Sequence, residues 1–529
     1  MSNAKLTAIS IERFKSFKQA TRIELAPLTV IVGRNNSGKS SLIQSLLLLK
    51  QTLADPRPDV MLRLEGMVEA FNLREITFGR PEKAAEVEGP VIELEWESEV
   101  DVAAALAGAP DLTNLATLSG VEWLRNPPGR KTLHTALRLR ATEIYGAAQI
   151  EHIELRSLGG DNPPTLAVSF TLAGADIVKW GDEPAPGLEV DMVHFMPYLR
   201  IDRGTLGSRD RQRAWHNAYL VLFAQPLEAL KSLLTDLHYL GSLRQQPPSL
   251  FKLSTTAPNE VGVHGELAAA LLQRRQGEIV HFLPLADVSD SSIDIRDEVL
   301  GLPLVDAVNH TMAAMSVKAP LRVEEIQDVG FRLLFGDASL VHVGRGLSYL
   351  LPLVELGLFA DPLRFKGGPG SMPLAAYREQ CKSFTHIALE EPEAHLHPKV
   401  ASRLAHWLVS LARANRRLIV ETHSDHLVRR LRGLAARAGA GSELEQWLLQ
   451  NVVVLSVEQG ADGSSSVVSS RLTAEGGVEQ TWPADFMDES ADEESSIYYA
   501  RLNKAAPVSG DPAAVEMVDG DEPEADVAP

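Results

Sequence analysis

Hydrophobic and polar positions divide this chain into a patterned start, a mixed middle and a strongly patterned last third. Residues 5 to 32 read as two strands. The first lies around Leu6 to Phe14. The second, Leu28 to Val32, is a short apolar run, as suits a strand buried on both faces of a parallel sheet. A glycine-rich turn follows. Ser40 to Leu53 then holds good helix formers and neither Pro nor Gly, so strand, loop and helix succeed one another. Residues 60 to 98 read as further strands ending in Val91 to Trp96.

From about 100 to 235 the signals mix. Pro and Gly cluster at Asn126 to Gly129, Asp161 to Pro164 and Glu183 to Gly187, which read as loops. A helical stretch runs from about Arg211 to His238, with no sustained heptad that would make a long coiled-coil arm. Residues 321 to 343 alternate like strands, Leu347 to Phe359 reads as a helix, and Gly367 to Met372 as a loop. In the last third, Thr385 to Leu389 and Leu418 to Glu421 read as buried strands. Between them lies a helix from Pro398 to Ala414 with Pro at its first position. From about 487 onward, Asp, Glu, Ala and Pro dominate, the composition of a disordered tail.

A chain of 529 residues is too long for one ordinary domain, and two to four, with insertions, are expected. Apolar residues make up 45%, enough for a sizeable core, yet no stretch approaches the run of about 20 that a membrane helix needs. The start shows no secretory-signal pattern. Cys381 is the only cysteine, which excludes an intrachain disulfide and fits a reducing, cytoplasmic setting. The net charge of −19 argues against a surface that grips nucleic acid everywhere. From Asp485 on there are 13 acidic and 2 basic residues, so the rest carries only −8 and has room for basic patches.

Gly33-Arg34-Asn35-Asn36-Ser37-Gly38-Lys39-Ser40 matches G-x-x-x-x-G-K-[ST] in full. Glycines let such a loop fold tightly, so that its N–H groups point at phosphate oxygens. Lys39 would reach the β- and γ-phosphates of ATP, and the Ser40 hydroxyl would ligate Mg²⁺. The helix that begins there turns its positive end to the anion. A plain glycine turn capping a helix is the bland alternative, and the strand before and helix after weigh against it.

His386-Ile387-Ala388-Leu389-Glu390-Glu391-Pro392-Glu393 is an apolar strand that ends in paired carboxylates. The carboxyl ends of parallel strands line the ligand crevice. Glu390 suits a metal role and Glu391 that of the base polarising water. A solvated acidic turn is the competing reading. Ile419-Val420-Glu421-Thr422-His423-Ser424 is a second such strand end, and His423 would meet the γ-phosphate or the attacking water. Its place about 30 residues after the acidic strand end leaves room for one helix between neighbouring strands. Glu393, His395 and His397 form only a weak zinc pattern, with no cysteine to assist.

Together these motifs resemble the ABC-type ATPases of the SMC, RecF and OLD (overcoming lysogenization defect) kind, and more narrowly a group of poorly characterised bacterial relatives. Ile11-Glu12-Arg13-Phe14-Lys15-Ser16-Phe17 is similar to the group's first strand, Gly33 to Ser41 to its Walker A motif, Glu390 to Pro398 to its Walker B and D-loop, and Thr422-His423-Ser424 to its switch histidine. Val343-Gly344-Arg345-Gly346-Leu347-Ser348 with Leu351-Pro352 resembles its signature segment. Tyr239-Leu240-Gly241-Ser242-Leu243-Arg244 with Pro247 and Val261-Gly262 fits the narrower group, as does Trp482-Pro483 through Phe486 to Asp488-Glu489. The likeness covers about residues 5 to 100 and 235 to 490.

The resemblance implies an α/β P-loop NTPase fold, an ABC-type head with a mixed sheet split by a central α+β insertion. The parts are an N-terminal lobe over 1–100, an insertion over 101–235, a C-terminal lobe over 236–486 and the tail over 487–529. It implies a homodimer in ATP. Gly33, Asn35, Asn36, Ser37, Gly38, Lys39, Ser40 and Ser41 would hold nucleotide in cis, and Gly346 and Ser348 would contact the γ-phosphate in trans. Mg²⁺ would sit on Ser40 and Glu390, with Glu391 and His423 catalytic. The chain departs from the pattern in having Glu390 where most ABC proteins have Asp, a signature that is not Leu-Ser-Gly-Gly-Gln, and no evident Q-loop glutamine around Asn72 to Phe78. Asp519-Gly520-Asp521, in the tail, lacks the strand context of a Toprim nuclease.

The expected roles are an ATPase in DNA transactions or anti-phage defence with an effector protein, or an ATP-gated scaffold that hydrolyses slowly and restrains a partner. A transporter subunit fits the signature and insertion poorly. Arg200, Arg203, Arg209, Arg211 and Arg213 form a candidate nucleic-acid patch, but interleaved Asp202 and Asp210 favour a salt-bridged face. Arg429, Arg430, Arg432 and Arg437 also suit an exposed helix face.

Overall fold

The computed structural model describes residues 3–81, 88–107, 112–158, 164–170, 177–201, 209–253, 256–285, 297–317, 319–327 and 329–480. The expected tail, the Trp482 to Glu489 segment, Asp519 to Asp521 and Arg203 lie outside them.

Leu28–Gly33 is buried at every position and runs through a six-stranded sheet. The strand order is His238–Leu240, Thr385–Glu390, Arg416–Glu421, Leu28–Gly33, Val452–Gln459, Ser465–Arg471. The first five strands are parallel and the last pairs antiparallel with the fifth. Interior parallel strands are covered on both faces, which is why Ile387 to Leu389 and, apart from Thr29, Leu28 to Val32 are apolar. Helices Pro398–Arg413 and Asp425–Arg437 follow the two strands that end in Glu390 and Glu421. The register places Glu390 opposite Glu421, and Glu421 opposite Ile31. Three strand ends therefore stop side by side.

The strand Arg416–Glu421 is anchored at its other end. Arg416, fully buried, donates to the carbonyls of His281 at 2.7 Å and Ala414 at 2.9 Å and lies 3.7 Å from Asp361. Asp361 in turn accepts from the Tyr377 hydroxyl at 3.0 Å and pairs with His281 at 2.8 Å. These contacts offset part of the cost of burying the Arg416 charge, although its Nε is left without a hydrogen-bond partner.

A second sheet has eight strands in the order Thr21–Glu24, Lys5–Glu12, Val91–Asp101, Arg130–Ile144, Ala147–Leu158, Thr165–Ser169, Ile177–Trp180, Glu183–Pro184, each antiparallel to its neighbours. Thr21–Glu24 makes a third strand before residue 33, where two were expected. Val91–Asp101 pairs with Lys5–Glu12 on one side and Arg130–Ile144 on the other, so the sheet runs straight across residue 100. The helix expected over Arg211 to His238 divides into Arg209–Tyr219, a π-helical turn Leu220–Ala224 and Gln225–Thr235. His238–Leu240 is instead the edge strand of the parallel sheet. Gln225–Thr235 packs against Lys39–Leu53, and Trp96 Nε1 donates to Pro226 O at 3.0 Å, which ties the second sheet to these helices.

Two further expectations are corrected. Residues 60 to 81 are turns with one 3₁₀ segment, Leu73–Ile76, rather than strands. Side chains of the adjoining helix replace a ladder there. Gln51 donates to Arg63 O at 2.7 Å and Val68 O at 3.0 Å and accepts from Val68 N at 2.8 Å, while Thr52 accepts from Arg63 N at 3.0 Å. Within Gly367 to Met372, Gly370 starts a short strand, Gly370–Pro373, paired with Glu298–Pro303. Among the described residues no helix is long and apolar enough to cross a membrane.

Candidate functional site

The phosphate loop leaves the strand Leu28–Gly33 through two glycines that nothing larger can replace. Gly33 has φ +146° and lies against the Val457 carbonyl; Gly38 has φ +97°, and a Cβ there would run into the hydroxyls of Ser16 and Ser465. Asn36 takes the left-handed conformation that Asn tolerates, with φ +66°. Ser465 braces the loop from the last strand of the sheet, its hydroxyl donating to Ser37 O at 2.6 Å and its N–H to Ser16 O at 2.8 Å. Ser37 and Ser41 are buried, whereas Asn35 and Asn36 are exposed at the rim. Lys39, 3% exposed, closes the loop by donating to the carbonyls of Gly33 at 2.9 Å and Arg34 at 2.5 Å. Burial lowers its pKa, so an anion that takes over those contacts meets a poorly hydrated ammonium. The helix Lys39–Leu53 begins at this point with its free N–H groups facing the loop.

The carboxylates arrive from the neighbouring strands. Ser40 donates to Glu421 at 2.9 Å. Glu390, across the register from Glu421, accepts from the Tyr239 hydroxyl and the Ser242 N–H. Burial, then the charge of Glu421, pushes Glu390 up to about 7. Burial also raises Glu421 and Glu393 above the usual carboxylate range. One oxygen each of Glu390, Glu421 and Glu393 is buried without a hydrogen-bond partner. An unpaired buried carboxylate oxygen can be met by a cation, a water or a proton.

Those of Glu390 and Glu421, with the Ser40 hydroxyl, are hard oxygen donors suited to Mg²⁺. That ion takes one or two carboxylates and completes its shell with phosphate and water. No closed cluster of three or more His, Cys, Asp or Glu set for a metal occurs among the described residues. The residues of the weak zinc pattern have other work. His397 caps Lys399 N at 3.2 Å, the His395 ring meets Tyr349 edge to face at 5.0 Å, and Glu393 accepts from Thr422 at 2.6 Å and His423 N at 3.0 Å.

Glu391 follows the strand end with φ +44°, a left-handed conformation that is uncommon for a non-glycine residue and found preferentially at functional sites. Its carboxylate lies 3.7 Å from His423 Nε2. Burial, then the charge on Lys39, lowers the pKa of His423, which keeps the imidazole neutral and able to accept or donate. The expected pair of base and histidine is thus brought together beside the phosphate loop.

Gly346 and Ser348 stand apart. Both belong to the helix Arg345–Phe359, hereafter the signature helix. Gly346 lies against the backbone of His395 and Leu396, and the buried Ser348 hydroxyl donates to Leu340 O at 3.4 Å. The Ser348 side chain is therefore turned into its own chain. What faces outward is the start of the helix, exposed at Gly344 and Arg345.

Three contributors were given no site role from the sequence: Glu421, Tyr239 and Lys15. Lys15 is bonded to Gln44 and lies within Coulombic reach of Glu390. Only Glu421, at the end of an apolar run directly before Thr422-His423, carried a readable signal. The region Asn72 to Phe78 packs on the turn that holds Lys15, with Lys15 N donating to Ile76 O at 2.7 Å, and supplies no glutamine. In the candidate arginine patch, Arg200 pairs with Glu189 at 2.7 Å and Arg211 with Glu183 at 3.2 Å, as in a salt-bridged face. In the later group, Arg429 pairs with Asp425 at 3.3 Å and Arg430 donates to His406 at 2.7 Å.

Residues 5–92 match the family described as AAA ATPase domain, and residues 374–429 match the family described as AAA domain, putative AbiEii toxin, Type IV TA system. No curated protein matches the chain. Similar solved structures include an SMC head bound to the C-winged helix domain of ScpA, 12% identical, with TM-score 0.38, covering 88% of this chain and 98% of that one. The SMC head domain from Thermotoga maritima is 12% identical, with TM-score 0.33 and the same coverages of 88% and 98%. A Pyrococcus furiosus Smc head domain with an extended coiled coil, bound to the C-terminal domain of ScpA, is 10% identical, with TM-score 0.36, covering 94% and 100%. Superpositions this loose add no detail to the site. The first family match holds the phosphate loop and the second holds the acidic strand end and the histidine turn. The parallel sheet joins the two matched segments at one site, so over residues 5–92 and 374–429 this chain is similar to AAA-type ATPase domains.

Proposed function

We propose that the chain binds Mg²⁺–ATP at this site and hydrolyses it as an ABC-type head-to-head dimer. The observation that carries the reading is the convergence of Lys39, Ser40, Glu390, Glu391, Glu421 and His423 at the carboxyl ends of three adjacent parallel strands. Lys39 and the loop N–H groups would hold the β- and γ-phosphates. Ser40, Glu390 and Glu421 would hold the metal, which when bound neutralises charge on the phosphate oxygens. Glu391 would orient and polarise the attacking water, with His423 beside it as the group that registers the γ-phosphate. The exposed start of the signature helix, Gly344 and Arg345 with the Gly346 backbone, would complete the partner's site, and loss of the bridging phosphate would release the dimer.

On this reading the cycle would serve DNA transactions or anti-phage defence, with an effector protein. The test is ATP turnover with and without duplex and single-stranded DNA. Stimulation by DNA supports the reading, and indifference to DNA overturns its DNA arm. A second reading, an ATP-gated scaffold that hydrolyses slowly and restrains a partner protein, draws support from the inward-turned Ser348. It expects near-zero turnover until a copurifying partner is added.

A further inference from the structure

We propose that Arg244 is a positioning residue for turnover, holding the loop that bears Glu391 against the signature helix. The inference rests on the ATPase reading above. A left-handed glutamate keeps its conformation only where its surroundings fix it. At Glu391, the N–H donates to Glu421 O at 2.8 Å, and the carbonyl accepts from Ala394 N at 3.0 Å and from Arg244 Nη2 at 3.1 Å. The other arm of the same guanidinium donates to Tyr349 O, on the signature helix, at 3.3 Å. Arg244 is 7% exposed. Burying a guanidinium among carbonyls is costly, and here the charges of Glu393 and Glu391 nearby offset part of that cost.

The same short loop serves both carboxylates. Tyr239 and Ser242 hold Glu390, and Arg244 holds Glu391. The start of the signature helix is fastened to the acidic loop at two further points, Gly346 against His395 O and the Tyr349 ring on the His395 ring. Arg244 is the member of this set that touches Glu391 itself. A small shift of the helix alters its grip on the Glu391 carbonyl, and with it the direction of the carboxylate. Whatever the signature helix meets is thereby felt at the base. Lysine keeps the charge but lacks the planar fork that spans the two carbonyls.

The test compares wild type with Arg244→Met, Arg244→Gln and Arg244→Lys by ATP turnover, by affinity for a fluorescent ATP analogue and by thermal melting. Arg244→Met should lower kcat by about tenfold or more with nucleotide affinity within about twofold of wild type, and Arg244→Lys should restore part of the loss. An unchanged kcat in folded Arg244→Met, or a loss seen wholly as weaker nucleotide binding, overturns the proposal. If Arg244→Met does not fold, Arg244→Gln is judged by the same two outcomes. Failure of the underlying ATPase reading shows up separately, as a wild-type protein that neither binds nor hydrolyses ATP.

Discussion

Ser40 donates a 2.9 Å hydrogen bond to the carboxylate of Glu421, 381 positions further along the chain. The contact joins the first turn of the phosphate-loop helix to the strand that carries the histidine turn. It sets two oxygen donors side by side, with a second Glu421 oxygen unpaired. Sharing the hydroxyl is compatible with holding a metal, because Ser40 can turn its oxygen lone pairs to the ion while its O–H still points at Glu421.

Glu421→Gln should therefore weaken divalent-ion binding in the presence of ATP by about tenfold, the scale of a lost supporting ligand. Affinity for metal-free ATP should not fall, since a buried negative charge near Lys39 is removed. Mn²⁺ titration followed by electron paramagnetic resonance checks this without relying on turnover. Wild-type Mn²⁺ affinity in the variant would remove Glu421 from the metal site.

Glu390 makes the metal-free protein pH-sensitive. Its folded value is pushed up to about 7 from an ordinary 4.5, so in that window the folded state keeps a proton that the unfolded chain releases. This contribution to stability is complete on the acid side and is lost as pH rises from about 4.5 through about 7. Glu390→Gln carries no such proton. Its melting temperature relative to wild type should rise between about pH 5 and about pH 8 in chelator, then level off. A difference that stays constant with pH would contradict the assignment.

Glu391→Gln keeps the shape of the base and removes its charge. Nucleotide binding should persist and a dimer should accumulate in ATP, as seen by size exclusion with light scattering. Only monomers under saturating ATP would count heavily against a two-subunit site.

Local chemistry made part of this site readable. Gly33 to Ser40 is a contiguous loop whose conformational demands are written in its own residues. Glu390 and Glu421 each end an apolar run, which marks the carboxyl end of a buried strand, and Glu391 and His423 follow within two residues. Glu421 could be read as a strand end, but its contact with Ser40, 381 positions away, and the Tyr239 contact with Glu390 depend on register and strand order, which no local pattern reports. Residues 60 to 81 misled because their apolar positions look strand-like while Gln51 and Thr52 satisfy their backbone. The sheet that crosses residue 100 was hidden for a related reason: pairing of Val91–Asp101 with Arg130–Ile144 is decided across a long excursion of chain. Ser348 entered only through the resemblance of its segment to a signature motif, and its hydroxyl sits on the face turned to Leu340.

The most direct test of the central claim is Mg²⁺-dependent ATP turnover by wild type beside Lys39→Ala. With Lys39 closing the loop at the foot of this site, the wild type should turn over ATP, and the variant should lose about a hundredfold or more. Equal turnover in the two proteins, or a wild type that binds no ATP, would contradict the account.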